Sequence, residues 1–416
     1  MVRPRILVVA PGLRIGGVER SLLGLLHALV PRECDLTLFL HSHDGEWVDQ
    51  IPRGLDLLPE MPEYAALDRS LYGVLLSAQW RVGVARAAAK LVTRTRGALG
   101  IRGFLLPRSV RYSIGCLPWI PGEYDLAVSF LAPHDVVLRR VRARFRVGWI
   151  HTDYTRLETG VDRRFEMKTW SRLDSLAAVS TGVAETFSEA FGIEASRIRV
   201  IENVLSPTFV RGQARATDVS HEMVAGPSEF RLCSVGRFSH AKGFDLAVEA
   251  CRRLVDLGVP VRWYLIGYGP EEESLRRLIS SLGVERQFLI LGKRDNPYPY
   301  IAACDLYVQP SRYEGKAVTV REAQMLGRPV LIGCYPTASS QLEDGIDGMM
   351  ADPGPHGLVD AIRRLVADPA LRRRLGATAA SRDYGNIAAA GEVLALAGRA
   401  GSREGAGKPT ADCQAS

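Results

Sequence analysis

Apolar residues gather along this chain in short unbroken runs. "RILVVA" at residues 5–10 opens a series that continues with "CDLTLFL", "YDLAVSFL", "FRVGWIH", "SLAAVS" and "IRVIEN". Continuous runs of this length, without polar alternation, are what parallel strands covered on both faces display. Between several of them the period changes to that of a helix. Val18, Leu22, Leu25, Leu26 and Leu29 share one face of a helix predicted from about Val18. A second series begins at "FRLCSVG" and runs through "VRWYLIG", "QFLILG", "DLYVQPS" and "PVLIG". Helical segments such as "FDLAVEACRRLVDLG", "EEESLRRLISSLG" and "VTVREAQMLG" alternate with these strands. The pattern predicts an α/β protein made of two doubly wound parallel-sheet domains.

The stretch between the two series has weak periodicity and many small or polar residues. It reads as a linker. The expected organisation is a first domain over 1–205, a linker over 206–228 and a second domain over 229–385. A helix and disordered tail would fill 386–416. Two such domains face each other across a cleft. Ligands of doubly wound sheets bind at the carboxyl ends of the strands, so loops that follow strands are where chemistry is expected.

Composition narrows the picture. A chain of 416 residues fits two domains. Its 47% hydrophobic and 24% charged content are those of an ordinary globular protein. The formal charge of +7 favours an anionic partner: a nucleotide, anionic lipid or nucleic acid. Seven cysteines, at 34, 116, 233, 251, 304, 334 and 413, include no C-x-x-C pair. They read as reduced thiols of a cytoplasmic protein, with neither a disulfide framework nor a zinc site expected. The first apolar run stops at Pro11-Gly12, too short for a signal peptide. No uncharged apolar stretch reaches the roughly 18 residues of a membrane span, so any membrane contact is expected to be peripheral.

Three loops carry candidate chemistry. In "GRFSHAKG", Arg237 and Lys242 follow a strand and precede a helix, between Gly236 and Gly243. Two cations at a helix N-terminus suit a diphosphate, because side chains and helix dipole act with the same sign. In "EGKAVTVRE", Glu314 lies in the loop and Glu322 in the following helix, which is expected to run from near Ala317 to Gly327. Free amides around Lys316, Ala317 and Val318 would point toward a phosphate held there. Solvated acidic residues near a helix start would also account for the two glutamates. In "PGLRIGGVER", Gly16 and Gly17 precede the first helix and could let the backbone approach a phosphate from the other domain, although the spacing is not that of a dinucleotide fingerprint. Gly267 in "IGYGP" is a fourth, weaker candidate.

The combination of "VGRFSHAKG", "EGKAVTVREA", "GGVER" and "VIENV" resembles glycosyltransferase family four. The resemblance spans about residues 5 to 385, and "WIHTDY" with "YPTASSQLEDGIDG" is similar to its bacterial capsule and exopolysaccharide branch. It implies the GT-B architecture and transfer of a hexosyl-type sugar, with retention, from a nucleoside-diphosphate sugar to a glycan or lipid-linked hydroxyl. No metal or further cofactor is expected. Arg237 and Lys242 would hold the diphosphate, Glu314 the sugar and Glu322 the ribose hydroxyls. Gly16 and Gly17 would approach the phosphates, and the segment from Leu291 to Lys293 and Arg294 would line the base pocket. A histidine of the first domain would face the sugar. His134 and His151 both follow strands, and both stay candidates. One departure stands out: the family usually has an aromatic or apolar residue after Gly315. Here it is Lys316, which is expected to add a phosphate or sugar contact. Two rival activities stay open, a sugar-nucleotide epimerase or hydrolase on the same fold and a non-catalytic nucleotide-sugar-binding subunit at the membrane.

From Arg69 to Gly122 there are nine Lys or Arg and no Asp or Glu. Apolar residues are interleaved, and Arg86, Lys90 and Arg94 share a helix face. The pattern predicts a basic amphipathic surface for the anionic inner face of the cell membrane. A solvated basic face is the simpler alternative. No nucleic-acid motif accompanies it, and no nucleic-acid partner is expected.

Overall fold

The computed structural model describes residues 3–67, 69–87, 113–154, 163–224, 226 and 228–402. Two parallel sheets organise them. The first has seven strands in the order β3-β2-β1-β4-β5-β6-β7: β1 Arg5–Ala10, β2 Asp35–Leu40, β3 Asp56–Leu57, β4 Glu123–Ser129, β5 Arg142–Ile150, β6 Ser175–Ala178 and β7 Ile198–Val200. The second has six, in the order β10-β9-β8-β11-β12-β13: β8 Phe230–Val235, β9 Val261–Ile266, β10 Phe288–Gly292, β11 Leu306–Gln309, β12 Val330–Gly333 and β13 Met349–Ala351. The continuous apolar runs are these strands. Ile6, Leu7 and Val8 of β1 are fully buried, with both sheet faces covered.

Each sheet winds outward from its first strand in both directions. In the first, the order reverses between β1 and β4; in the second, between β8 and β11. Loops leaving the paired strands part there and open a crevice. The loop after β8 carries Arg237 and Lys242, and the loop after β11 carries Glu314. Two segments far apart in sequence thus meet at one switch point, and the Arg312 amide donates to the Ala241 carbonyl at 2.8 Å.

The predicted linker is not featureless. Ser206 caps a helix over Pro207–Ala214 by accepting from the Phe209 amide at 3.2 Å, and Pro207 sits in its first turn. Val210, Val219 and Met223 are buried, so the segment is part of the core. Its three apolar anchors are spaced too irregularly to register as a period. The chain end holds the expected helix. It runs over Ala389–Ser402, and its Ala390, Val393, Leu396 and Ala397 are buried in the core shared with the first sheet, a packing that sequence order does not show. Ahead of it, the Leu205 amide donates to the Gly385 carbonyl at 2.9 Å. The first domain is therefore completed by residues from the far end of the sequence. Residues 403–416 lie outside the described residues. So do 88–112, and with them Lys90 and Arg94 of the basic stretch.

Candidate active site

Glu314 is the best-held group in the cleft. Its Oε1 accepts from Lys242 Nζ at 2.5 Å and from Ser311 Oγ at 2.7 Å. Behind Ser311 stands Gln309, which donates to Ser311 Oγ at 3.0 Å and accepts from Tyr307 at 2.7 Å. Tyr307 and Gln309 belong to β11, so the carboxylate is fixed through a chain of hydrogen bonds to the sheet. The Glu314 carbonyl is held in turn by Thr337 Oγ1 at 2.8 Å. Arg312 makes a two-pronged pair with Asp245 at 2.7 and 2.6 Å, tying the loop after β11 to the helix Phe244–Asp256. The turn before that helix needs Gly243. Its φ is +63°, and a methyl group there would lie 2.2 Å from the Pro310 carbonyl oxygen. Arg237, just after β8, is exposed. Lys242 and Glu314 are only partly so, with 21% and 11% of their side chains open to solvent.

The first domain meets this loop directly. A methyl group on Gly315 would lie 2.1 Å from the His151 carbonyl oxygen, and Ser180 Oγ donates to the Gly315 carbonyl at 3.3 Å. Only glycine allows that approach. Of the two candidate histidines, His151 is the one whose backbone lies against Gly315, the residue after Glu314. Its Nε2 donates to the Phe130 carbonyl at 2.6 Å, and burial pulls its pKa down to about 4, leaving a neutral ring with Nδ1 free of a proton. His134 is corrected: it is sealed inside the first domain, bonded to Ser129 Oγ at 2.8 Å and packed on Trp170. Burial, then the nearby His151, pulls its pKa down to about 3.

Other predicted residues take places the sequence did not foresee. Lys316 does not face Glu314. It is buried, and its ammonium pairs with Glu202 of "VIENV" in the first domain. Burial, then Arg321, pushes its pKa down, and Glu202 opposes this. The Ala317 amide is not free, because Gln341 Oε1 accepts it at 2.7 Å. Val318 opens the helix Val318–Met325 and touches Gly17 of the first domain, whose added methyl would sit 3.4 Å from Val318 Cβ. Gly16 makes room for a side chain: the Glu19 carboxylate folds over it, 2.0 Å from where a Cβ would be. Burial raises the Glu19 pKa against the attraction of Arg20, Arg14 and Arg237.

Gly267, with φ +143°, lets the loop after β9 cross the loop after β8, a methyl there falling 1.9 Å from the Gly236 carbonyl oxygen. Lys293 pairs across the cleft with Glu46. Arg294 pairs with Glu222 of the linker at 2.5 Å and donates to Tyr300 at 2.8 Å, so its guanidinium is turned toward the linker.

Glu322 is fully buried. Arg20 Nε of the helix Gly17–Leu29 lies 2.7 Å from its Oε1, and the Tyr298 hydroxyl donates to the same oxygen at 2.9 Å. Neither Arg20 nor Tyr298 was singled out from the sequence. Arg20 could have been: it is a charged residue beside Ser21, Leu22 and Leu23, all buried. Burial, the largest single influence, pulls the Arg20 pKa down, but Glu322, Tyr298, Tyr307 and Glu19 together outweigh it and the net shift is upward. Among the described residues no group of three or more His, Cys, Asp or Glu is placed to hold a metal ion.

The model of Glycosyltransferase Family 4 matches residues 15–209, and that of Glycosyl transferases group 1 matches residues 222–382. Lipopolysaccharide core biosynthesis glycosyltransferase LpsE of Rhizobium meliloti is 32% identical over 204 residues, 49% of this chain and 56% of that protein. Alpha-D-kanosaminyltransferase of Streptomyces kanamyceticus is 30% identical over 167 residues, 39% of this chain and 43% of that protein. The chain thus aligns with only about half the length of these relatives. Among solved structures, Anabaena Alr3699/HepE in complex with UDP and glucose superposes with a TM-score of 0.69 at 17% identity, over 95% of this chain and 100% of that one. WaaG, a glycosyltransferase involved in lipopolysaccharide biosynthesis, superposes with a TM-score of 0.58 at 15% identity, over 94% and 99%. Both likenesses are of fold.

Proposed function

Because the chain belongs to glycosyltransferase family four, with the GT-B fold, we propose that it moves a hexosyl-type sugar from a nucleoside-diphosphate sugar to a hydroxyl of a glycan or lipid-linked acceptor, in assembly of a cell-surface glycoconjugate. The observation that carries the reading is Glu314. It is a carboxylate fixed by Lys242 and Ser311 at the switch point of the second sheet, with Arg237 exposed beside the same loop. Such a carboxylate can accept hydrogen bonds from sugar hydroxyls, and Lys242 and Arg237 can neutralise a diphosphate.

In this reaction the acceptor oxygen bonds to the anomeric carbon as its bond to the β-phosphate oxygen breaks. The electron pair leaves with the diphosphate, and the acceptor proton passes to a departing oxygen. Attack from the face of departure keeps the anomeric configuration. The cationic side chains stabilise charge that grows only as the bond breaks, which is where binding energy lowers a barrier. His151, neutral and beside Gly315, offers an unprotonated Nδ1 to a sugar hydroxyl. The bound names of structural neighbours, UDP and UDP-glucose among them, support a nucleotide-sugar donor.

A membrane-bound acceptor agrees with the described part of the basic stretch. Tyr72, Leu76, Trp80 and Trp119 are each more than half exposed. Arg140 and Arg142 lie over the Trp119 ring at 5.7 and 5.8 Å. Among the described residues no helix is long and apolar enough to cross a membrane. The experiment for the reading is a mass-spectrometric screen with UDP-, GDP- and dTDP-sugars, with and without lipid-linked glycan acceptors. Sugar transfer that needs both substrates supports it. Donor turnover that ignores the acceptor would favour an epimerase or hydrolase.

A further inference from the structure

The segment after β12, "YPTASSQ", holds both ends of the Glu314 loop. Thr337 Oγ1 donates to the Glu314 carbonyl at 2.8 Å. Gln341 grips Ala317 twice: its Oε1 accepts from the amide at 2.7 Å and its Nε2 donates to the carbonyl at 3.3 Å. Thr337 and Gln341 are both buried. The other branch of Thr337 meets the first domain. A Cβ placed on Gly182 would lie 2.9 Å from Thr337 Cγ2. Gly182 stands in the first turn of the first-domain helix Thr181–Phe191, whose cap Ser180 is the residue that donates to the Gly315 carbonyl. Glycine in a helix is less stable than alanine, and the close approach of Thr337 accounts for it here. The start of this helix thus touches the Glu314 loop at Gly315 and its brace at Thr337.

We propose that Thr337 is a positioning residue that sets Glu314 as the domains meet: its hydroxyl fixes the Glu314 backbone, and its methyl seats the start of the first-domain helix. This rests on the nucleotide-sugar reading above. A threonine suits the task because its two branches reach different partners. The hydroxyl holds the loop within the second domain. The methyl fills the space that Gly182 leaves, so the helix approaches until Ser180 reaches Gly315. The Glu314 side chain is anchored separately, by Lys242 and Ser311. Loss of the Thr337 hydroxyl therefore shifts the carboxylate through its backbone and removes no charge from beside the diphosphate. A small displacement at the reacting centre costs rate more than binding. The effect belongs in turnover, whereas nucleotide affinity rests on Arg237 and Lys242.

The two branches can be removed one at a time in the full chain. Thr337→Val keeps the shape and deletes the hydroxyl. In the transfer assay with UDP-, GDP- and dTDP-sugars it should lower turnover about tenfold, on the order of one buried hydrogen bond. Calorimetry with UDP, GDP and dTDP should find the preferred nucleotide bound within about threefold of the wild type. Thr337→Ser keeps the hydroxyl and should regain most of the turnover lost in Thr337→Val. Gly182→Ala should lower turnover about tenfold by holding the helix off the loop. Adding Thr337→Ser to Gly182→Ala removes Cγ2, makes room for the new methyl, and should recover most of that loss. Hydrogen exchange of a peptide over 312–318 needs no substrate. It should quicken in Thr337→Val and in Gly182→Ala, and slow again when Gly182→Ala is combined with Thr337→Ser. Wild-type turnover and exchange in Thr337→Val would overturn the assignment, as would a combined variant no better than Gly182→Ala. Nucleotide affinity that falls as far as turnover in Thr337→Val would also overturn it, because the residue would then only support the fold. A wild type that binds no nucleoside diphosphate while the exchange pattern holds would remove the nucleotide-sugar reading and leave the brace in place.

Discussion

Glu314 and Lys316 stand two residues apart and face opposite domains. Glu314 is held by Lys242, whereas Lys316 reaches Glu202. The motif's spacing identified the carboxylate, but nothing in the sequence says that Lys316 turns away from it, because that depends on Gly315 lying against His151. Glu314→Gln should lower turnover about a hundredfold or more while leaving the melting temperature nearly unchanged, as loss of one preorganised polar contact does. Lys316→Met should leave donor affinity within about threefold, since Glu202 is 43% exposed and regains water when its partner goes. A transfer assay and a thermal melt check the first variant and donor-binding calorimetry the second, and a Lys316→Met protein unable to bind donor would return that lysine to the site. Buried histidines set a pH dependence. Burial pulls His41 and His151 down to about 4 and His134 to about 3. Between these values and the ordinary 6.5 the unfolded chain binds protons that the folded chain does not, so stability rises with pH through that window and is flat above it. The melting temperature should fall steadily from pH 6.5 to 4.5, and a flat profile would mean that these rings protonate without unfolding.

Strands and the loops that follow them were readable at the level of elements. Unbroken apolar runs mark parallel strands because both faces are covered, and the loops after β8 and β11 follow from the strand limits. Their meeting at one switch point was not readable, since strand order is a tertiary property. The helix Pro207–Ala214 was missed because its Ser206 and Pro207 start signal precedes a short segment with a single buried anchor, Val210. The helix Ala389–Ser402 was assigned to the chain end because sequence order conceals its packing on the first sheet. The Gly315 loop gives the element-scale prediction. Gly315→Ala should lower turnover about tenfold or more by pushing the loop off His151, with far-ultraviolet circular dichroism unchanged. The segment with Tyr72, Leu76 and Trp80 gives a second. Flotation with anionic liposomes should be lost in a Leu76→Ser, Trp80→Ser protein that keeps its activity on soluble donor and acceptor. Equal flotation of the variant, or none by the wild type, would reassign this face.

The whole molecule is two switch points brought face to face. Ser180 with Gly315, Glu202 with Lys316, Arg20 with Glu322 and Glu46 with Lys293 all join one domain to the other around the loop of Glu314. Most of these bonds pair a residue of the sugar and nucleotide motifs with one from the first domain. That arrangement makes the cleft a single site whose halves must come together. The direct measurement of the account is thermal stabilisation of the full chain by UDP-, GDP- and dTDP-sugars, repeated on Arg237→Ala and Lys242→Ala. The account predicts that one nucleotide class raises the melting temperature of the wild type by several degrees and that both variants lose most of that shift. No shift with any donor, or a shift that survives in both variants, would contradict it.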